Sequence, residues 1–465
     1  MDYDLIIRNG AVATTDGSFE ADIGVRGGVI VALARGLAGT AAEEVDAAGM
    51  LVLPGGVDTH THIDQPPEGA VRQCDDFAAA TTSAAAGGTT TVVCFAWQLP
   101  GTSLAAEVAA YHQRAAAARV DYAFHLTITD PTDTVLRDEL PALIAAGNSS
   151  IKIFMTYAGS RLSDAQVLEV LEAARSNGAL VCVHAEDDAL IGHLTRRLIA
   201  EGKASPKYFP QSKPILGEAE AIRRIATYAE LLDVPVHIFH VSGAEAAAEV
   251  ERAQRRGVRL SAETCPQYLT FTAADLDRPG FEGAKLMFGP PPRSPQDHEA
   301  LWRALRRGVL SVISSDHAPM RFDDPQGKKV AGEGAPFDRV PNGVPGIATR
   351  MRLIFSEGVS KGRIGIGEFV ALTATRPAKL FGLYPRKGAI AIGSDADLVL
   401  WDPAHRGILT HAELWDANDY SPYEGMEVTG KPMITWLRGR RVYAGGQPVG
   451  GPGGGRFLAR GIMRP

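Results

Sequence analysis

Histidine and aspartate side chains lie at the ends of four apolar runs that have the composition of strands. His60 and His62 end the run 51–62, and because side chains two apart in a strand face the same side, both imidazoles can point the same way. The other three runs carry one candidate each near their ends, namely His184, His240 and Asp316. Imidazole and carboxylate groups suit a borderline cation such as Zn²⁺. Their shared position at strand ends predicts a metal site, which a single His-x-His pair would not.

Several other histidines of the chain show no comparable pattern. Four of them are interpreted as packing residues or as hydrogen-bonded residues: His125, His193, His237 and His298. The predicted metal site therefore excludes them.

Lys152 lies inside the apolar run 150–157, where a strand would bury it. A buried ammonium without a partner is costly. A salt bridge to a carboxylate would remove that cost. Reaction of the neutral amine with CO2 would also remove it, because the resulting carbamate is an anionic ligand that can bridge two metal ions. The local sequence leaves both alternatives open.

Eight strand-like runs alternate with alanine-rich stretches of helical periodicity in the middle of the chain. The runs are 51–62, 89–96, 121–129, 150–157, 179–184, 234–242, 258–264 and 309–316. The helical stretches include 104–118 and 219–232, and Ser163 with Gln166 predicts a capping box. Eight strand–helix units predict an α/β fold, a (β/α)8 TIM-like barrel. Such barrels carry their functional groups at the C-terminal ends of the strands, where the candidate ligands fall.

Both ends of the chain have the composition of β structure. The strand-like runs are 5–7, 21–25 and 29–33 near the start, and 396–401 and 434–437 near the end. We therefore expect a small β-sandwich domain formed from residues 1–53 and 386–465, and a catalytic barrel formed from residues 54–385. The Gly- and Pro-rich tail from Gly445 is expected to be loosely ordered or to serve as an oligomer arm.

Composition excludes several classes of protein. The chain has 465 residues, which suits two or three domains, and its formal net charge of -7 argues against general nucleic-acid binding. No apolar run reaches the length of a membrane span, and the acidic start is unlike a signal peptide. The four cysteines form no CxxC pair, so we expect free thiols in a reducing cytoplasm.

Eight short motifs follow one another in a specific order. They are PGGVDTHTH (54–62), GGTT (87–90), SIKIFMTY (150–157), HAE (184–186), HVS (240–242), ETCPQYL (263–269), SDHAP (315–319) and PNGVPG (341–346). This order resembles the cyclic amidohydrolases, and most closely the group of D-hydantoinases and dihydropyrimidinases. The resemblance extends over nearly the whole chain. It implies a hydrolase that opens a small cyclic amide, a hydantoin or a dihydropyrimidine, to an N-carbamoyl amino acid.

The resemblance also implies a site for two divalent metal ions, with zinc preferred and manganese as the alternative. The first ion would be bound by His60, His62, carboxylated Lys152 and Asp316, and the second by carboxylated Lys152, His184 and His240. Asp316 would in addition carry the proton of the reaction. Contacts with the substrate are implied for Tyr157, for the backbone of Gly289 and for Asn342. Judged from the residues alone, Tyr157 could be an ordinary half-buried tyrosine and Asn342 a turn residue.

Two positions differ from the pattern of the group that the chain resembles, and the residues after His62 differ from those of dihydroorotases. Gly289 replaces a serine that this group usually carries before the prolines, and glycine keeps the backbone groups but removes a hydroxyl. Asp187 follows the HAE motif where asparagine is common. Ile63 and Asp64 follow His62, whereas dihydroorotases tend to carry an arginine just after this motif. We therefore do not expect a dihydroorotase.

Other functions remain as alternatives. An allantoinase or a phthalimide-type cyclic imidase would share the metal site and differ in the pocket loops 65–75, 155–162 and 289–293. A non-catalytic, dihydropyrimidinase-related assembly protein is the alternative from another class. Such relatives have lost metal ligands, whereas every candidate ligand is present here. The resemblance further implies a homotetramer, or at least a homodimer.

Overall fold

The N-terminal part of the chain forms strands, as predicted. A computed structural model describes residues 1–461. Its first five strands are β1 (Tyr3–Thr14), β2 (Gly17–Arg26), β3 (Val29–Ala34), β4 (Ala41–Asp46) and β5 (Leu51–Pro54). Strand β1 is central, because it pairs antiparallel with β2 and parallel with both β4 and β5.

The middle of the chain forms a parallel barrel of eight strands. They are β6 (Gly56–Thr61), β7 (Thr89–Trp97), β8 (Asp121–Thr127), β9 (Ser150–Phe154), β10 (Leu180–His184), β11 (Val236–Ile238), β12 (Leu260–Thr264) and β13 (Val312–Ile313). Each strand pairs with the next one along the chain. An isolated parallel bridge between Thr61 and His317 joins the last strand segment to the first. The predicted fold class, a TIM-like barrel with a β domain from both termini, is confirmed.

The C-terminal strands return to the first sheet. They are β14 (Leu398–Ile408), β15 (Glu427–Leu437), β16 (Arg440–Ala444) and β17 (Gln447–Pro448). Strand β14 lies antiparallel to β5, so residues from both termini share one mixed sheet of nine strands. The sheet buries its own apolar cluster, which includes Ile7, Val25, Leu398 and Trp436.

Helices connect the barrel strands and cover them from outside. They are α1 (Phe77–Ala86), α2 (Leu104–Arg114), α3 (Leu140–Ala145), α4 (Asp164–Asn177), α5 (Asp188–Ala200), α6 (Phe209–Ser212), α7 (Ile215–Leu232), α8 (Ala244–Arg255), α9 (Gln267–Thr270), α10 (Pro295–Arg306), α11 (Arg350–Ile354), α12 (Ile366–Val370) and α13 (Arg376–Leu380). The capping box of Ser163 and Gln166 starts α4, as predicted. None of the described helices combines the length and the apolar character that crossing a membrane requires.

The predicted run 51–62 is two strands in two different sheets. Strand β5 pairs with β14, and the chain then crosses into the barrel at Gly55, whose N–H donates to the carbonyl of Asp397 at 2.8 Å. The crossing is tight, because a Cβ on Gly55 would lie 2.1 Å from Oγ1 of Thr90. Hydrophobic periodicity cannot distinguish one long strand from two that follow directly on one another.

The tail after Gly445 is packed against the barrel of its own chain. Leu458 and Arg460 are buried, and the Arg460 guanidinium donates to the carbonyl of Phe124 and, at 2.9 Å, to Oγ of Ser150. Ser150 begins β9, so this contact lies at the N-terminal end of the barrel. The described tail is therefore an ordered part of the monomer rather than loosely ordered, and a role in assembly stays a prediction.

Candidate metal centre

The C-terminal ends of the first and last barrel strands bring three predicted ligands together. Nε2 of His60 lies 3.0 Å from Oδ1 of Asp316, and Nε2 of His62 lies 3.4 Å from the same oxygen. One ligand atom from each side chain lies within 4.8 Å of the other two. Two imidazole nitrogens and a carboxylate at this spacing can bind one divalent cation.

A carboxylate and an amide orient these two imidazoles. Oε1 of Glu263 lies 2.6 Å from Nδ1 of His60, and Oε1 of Gln65 lies 3.1 Å from Nδ1 of His62. A hydrogen bond at the far ring nitrogen commonly supports a metal-binding histidine, because it sets the tautomer and the ring orientation. Neither partner was predicted from the sequence, although an acid inside the buried strand β12 was a signal for Glu263.

His184 and His240 form a second pair of candidate ligands. Nε2 of His240 lies 2.8 Å from Nδ1 of His184. The other nitrogen of His184, Nε2, is hydrogen-bonded to Oε2 of Glu186 at 2.7 Å. Lys213 Nζ donates to the same carboxylate oxygen at 2.6 Å. The two rings share a hydrogen bond at this distance, and each of the two nitrogens becomes a potential metal ligand once it carries no proton.

Lys152 lies among aromatic side chains next to both groups of ligands. Its Nζ is 4.2 Å from the ring centre of Phe239 and 4.4 Å from that of Phe154. The Phe239 ring in turn lies 4.1 Å from the His60 ring, and the Phe154 ring lies 5.6 Å from the His184 ring. The six predicted ligands therefore lie around one place at the barrel mouth, where the His60 and His240 rings are 5.3 Å apart.

No residue of the described chain forms a hydrogen bond with Lys152 Nζ. Burial lowers the pKa of this amine to about 7. The salt bridge that the sequence left open is absent from residues 1–461, where no carboxylate oxygen pairs with it. What remains is a buried amine with a large neutral fraction near pH 7, which is the form that reacts with CO2.

The backbone adopts the left-handed region at three predicted site residues. The φ angles are 77° at Tyr157, 41° at His240 and 50° at Asp316. Such conformations cost roughly 1–3 kcal/mol each at residues other than glycine, and they cluster at functional sites. Each of the three follows the end of a strand, which explains why β9, β11 and β13 are shorter than the apolar runs that predicted them.

Tyr157, Gly289 and Asn342 meet beside the ligands. A Cβ on Gly289 would lie 2.2 Å from the Tyr157 hydroxyl oxygen, so this hydroxyl occupies the space that a side chain at 289 would fill. Burial, together with the carboxylates of Glu186 and Asp316, raises the pKa of Tyr157 well above its usual value, although the nearby Asn342 side chain acts in the opposite direction. Tyr157 therefore keeps its proton and remains a hydrogen-bond donor.

Burial favours the neutral form of three of the four histidines in the site. It lowers the pKa of His62, of His184 to about 4, and of His240 well below its usual value. His60 differs, because its flanking carboxylates raise its pKa against the effect of burial. Burial opposes ionisation of Asp316, yet the neighbouring histidines hold the pKa of this carboxyl well below its usual value. Neutral imidazoles and an ionised carboxylate are the forms that bind a metal ion.

Asp58 connects the two strands on which the first ligands lie. Its Oδ1 accepts a hydrogen bond from the N–H of Ser315 at 3.0 Å, directly before Asp316. Its Oδ2 lies 3.5 Å from Nε of Arg350, and both side chains are fully buried. The Arg350 guanidinium also donates to the carbonyl of Ile313 at 2.9 Å, in β13. This buried pair thus holds the end of the barrel at which Asp316 lies.

The structure shows what Asp187 and His125 do, two residues to which the sequence assigned no role in the metal site. Asp187 is the N-cap of α5, where its side chain accepts from the N–H of Leu190 at 2.7 Å, and it lies 3.0 Å from Arg224. His125 is buried and lies 2.8 Å from Oγ of Ser150, which agrees with the interpretation of a hydrogen-bonded packing residue.

A (β/α)8 barrel with histidines and an aspartate grouped at its strand ends defines a class, that of the barrel metallohydrolases. The donor set fits such a metal centre, because imidazole nitrogens of His60 and His62 lie together with the Asp316 carboxylate, and the far nitrogens of His60 and His184 are held by carboxylates. Comparison with known proteins specifies the class further.

A model of the amidohydrolase family matches residues 51–442. A D-hydantoinase of Ralstonia pickettii is 44% identical over 459 residues, which is 98% of this chain and 99% of that protein. A solved structure of a D-hydantoinase superposes with a TM-score of 0.96 at 44% identity, covering 99% of this chain and 100% of that one. The crystal structure of a dihydropyrimidinase from Brevibacillus agri NCHU1002 gives 0.95 at 40% identity, covering 99% of both chains.

The chain belongs to the amidohydrolase family, within its group of D-hydantoinases and dihydropyrimidinases. The predicted family and the predicted class of enzyme, a hydrolase of the hydantoinase type, are thereby confirmed. The family implies a binuclear metal site, of which the group of His60, His62 and Asp316 is one part. The roles of the individual residues stay predictions.

Proposed function

We propose that this protein hydrolyses one amide bond of a hydantoin or dihydropyrimidine ring and releases an N-carbamoyl amino acid. The observation that carries the proposal is the buried amine of Lys152, which has no hydrogen-bond partner among residues 1–461 and lies next to two separate groups of candidate ligands. Membership of the hydantoinase group supports the same reaction.

We assign two divalent ions to the site, with zinc preferred and manganese as the alternative. The proposed ligands of the first are His60, His62, Asp316 and carboxylated Lys152, and those of the second are His184, His240 and the same carboxylated Lys152. When bound, such a pair of ions supplies an activated water at neutral pH and polarises the carbonyl under attack.

Carboxylation of Lys152 requires only CO2 as a co-reactant. The lone pair of the neutral amine attacks the carbon of CO2, and the nitrogen releases one proton to solvent. The product is a carbamate with a single negative charge. The low pKa of the buried amine favours this reaction, since the protonated form has no lone pair to donate.

The remaining groups then act on the ring. The Asp316 carboxylate accepts the proton of the attacking water and delivers it to the leaving ring nitrogen, first as general base and then as general acid. The Tyr157 hydroxyl donates a hydrogen bond to the carbonyl oxygen as that oxygen gains negative charge. Asn342 and the backbone of Gly289 hold the second amide of the ring.

Assembly and cellular location also belong to this proposal. We expect a homotetramer, or at least a homodimer, acting on a small cyclic amide in the cytoplasm. All four cysteines are free, and three of them are buried, which suits a reducing compartment. Light scattering on the purified protein measures the assembly directly.

The proposed function is tested by a substrate screen with metal analysis on the same samples. The protein is purified with added Zn²⁺ or Mn²⁺ and bicarbonate and then offered hydantoin, substituted hydantoins, dihydrouracil, allantoin and phthalimide. We expect about two metal ions per chain and ring opening of hydantoins or dihydrouracil. Turnover of allantoin or phthalimide alone would make the protein an allantoinase or an imidase. A chain without metal and without turnover would favour the non-catalytic alternative.

A further inference from the structure

Lys328 is a second fully buried lysine, outside the metal centre. It is inaccessible to solvent, and its Nζ donates to the carbonyl of Met287 at 2.9 Å and to the carbonyl of Pro341 at 2.7 Å. Within residues 1–461 no carboxylate pairs with this ammonium. Burial lowers its pKa to about 7.

The two carbonyls belong to the segments that carry the proposed substrate contacts. Met287 lies two residues before Gly289, and Pro341 lies directly before Asn342. The N–H of Gly343 donates to the same Met287 carbonyl at 2.9 Å, so the segments also touch each other directly. Both segments approach the Tyr157 hydroxyl, one through Gly289 and the other through the Asn342 side chain.

The location of Lys328 is costly by itself. An ammonium that is removed from water loses hydration, and two neutral carbonyls replace only part of it. The next residue, Lys329, has no such desolvation cost. It is partly exposed and pairs with Asp323 at 2.9 Å and with Glu333 at 3.3 Å. The Lys328 amine donates to both backbone carbonyls in its neutral form as well as in its protonated form, and so it fixes the distance between the two segments to which these carbonyls belong.

We propose that Lys328 is a positioning residue for the substrate pocket: it holds the segments 287–293 and 341–346 at the spacing that the hydantoin or dihydropyrimidine ring requires. This proposal rests on the proposed function for the identity of the ligand. Lys328 does not touch the substrate or the metal ligands. Its removal therefore loosens binding of the ring in the ground state and in the transition state alike.

The test compares Lys328→Met, which keeps the length of the side chain but removes the donors, with the matched control Lys329→Met. For Lys328→Met we expect KM for the best ring substrate to rise by about tenfold or more while kcat changes by less than about threefold. Metal content should equal that of the parent. Hydrogen exchange of peptides from 287–293 and 341–346 should become faster, and Lys329→Met should change none of these quantities.

The proposal is overturned by parent-like KM together with parent-like exchange in both segments. It is also overturned if kcat and metal content fall while KM stays constant, since Lys328 would then support the metal centre. If Lys328→Met does not fold, Lys328→Gln, which retains one donor group, is measured in the same way. If the parent opens no ring, the proposed function fails, whereas hydrogen exchange still decides whether Lys328 holds the two segments.

Discussion

At the scale of single residues, the proposed chemistry depends on the Lys152 amine, which has no hydrogen-bond partner among residues 1–461. Lys152→Ala removes the proposed bridging ligand, so we expect both metal ions and turnover to be lost together. Acetate or propionate should partly restore both, because a small carboxylate can occupy the place of the carbamate. Metal analysis and hydantoin hydrolysis, with and without the added acid, measure this outcome. Lys361→Ala, at an exposed ion pair with Glu357, is the control. Full metal content in Lys152→Ala would contradict a bridging role.

Asp316 has two proposed roles that one substitution separates. In Asp316→Asn an oxygen ligand remains, but the side chain no longer accepts a proton. We therefore expect a folded, metal-containing protein whose kcat is lower by about 10²–10⁴-fold. The exposed Asp323→Asn serves as the control. Near-parent turnover by a metal-loaded Asp316→Asn would mean that another group carries the proton.

Packing against Tyr157 explains why a glycine occupies position 289, which the sequence alone did not reveal. Because a Cβ at this position would lie 2.2 Å from the Tyr157 hydroxyl oxygen, Gly289→Ser should displace that hydroxyl. We expect kcat to fall by up to about 10²–10³-fold, the usual cost of losing one donor to the oxyanion. Gly451→Ser, where a Cβ meets no atom within 4 Å, is the control.

A double-variant cycle shows whether the effect of Gly289→Ser passes through Tyr157. If it does, Tyr157→Phe with Gly289→Ser should be little worse than Tyr157→Phe alone, because both changes remove the same hydrogen bond. Additive losses would show that the serine acts on the pocket in another way.

At the scale of elements, the buried carboxylate of Asp58 connects the ends of the first and last barrel strands. Asp58→Asn weakens the acceptor for the Ser315 N–H and leaves Arg350 without its counter-charge. Because changes to groups that orient metal ligands commonly cost 10–100-fold, we expect a loss of roughly that size in metal affinity or kcat. Metal titration and steady-state kinetics measure it. Asp133→Asn at an exposed ion pair is the control, and unchanged metal affinity and kcat would show that Asp58 does not position Asp316.

At the scale of the whole molecule, a buried group of charges connects the barrel to the mixed sheet. Nζ of Lys387 lies 2.6 Å from Asp121, at the start of β8, and 2.7 Å and 2.9 Å from Asp397 and Asp395, just before β14. Lys387→Met leaves these carboxylates without their common cation. We expect the free energy of unfolding to fall by about 3–5 kcal/mol, as it does when one partner of a buried ion pair is removed.

Denaturant unfolding followed by circular dichroism measures this change. Lys361→Met, which breaks an exposed pair, should alter the unfolding free energy by no more than about 1 kcal/mol. Equal denaturation midpoints for Lys387→Met and the parent would show that the connection between barrel and sheet does not depend on this lysine.

The sequence by itself determined the class of fold and the types of ligand. Apolar runs that alternate with helical stretches require parallel strands with helices outside, and His60, His62, His184, His240 and Asp316 fall near the ends of those runs. Because the carboxyl ends of parallel barrel strands meet at one mouth, the position of a residue along its own strand was sufficient to predict the cluster.

Only the tertiary structure decided what surrounds those ligands. Glu263, on β12, orients His60 on β6, although these two strands are not paired with each other, and the Tyr157 hydroxyl takes the space beside Gly289. The absence of a hydrogen-bond partner for Lys152 among residues 1–461, and the two carbonyl partners of Lys328, depend on what each amine meets in the folded chain. These contacts join residues far apart in the chain, and no spacing along a sequence records which side chains a fold brings together.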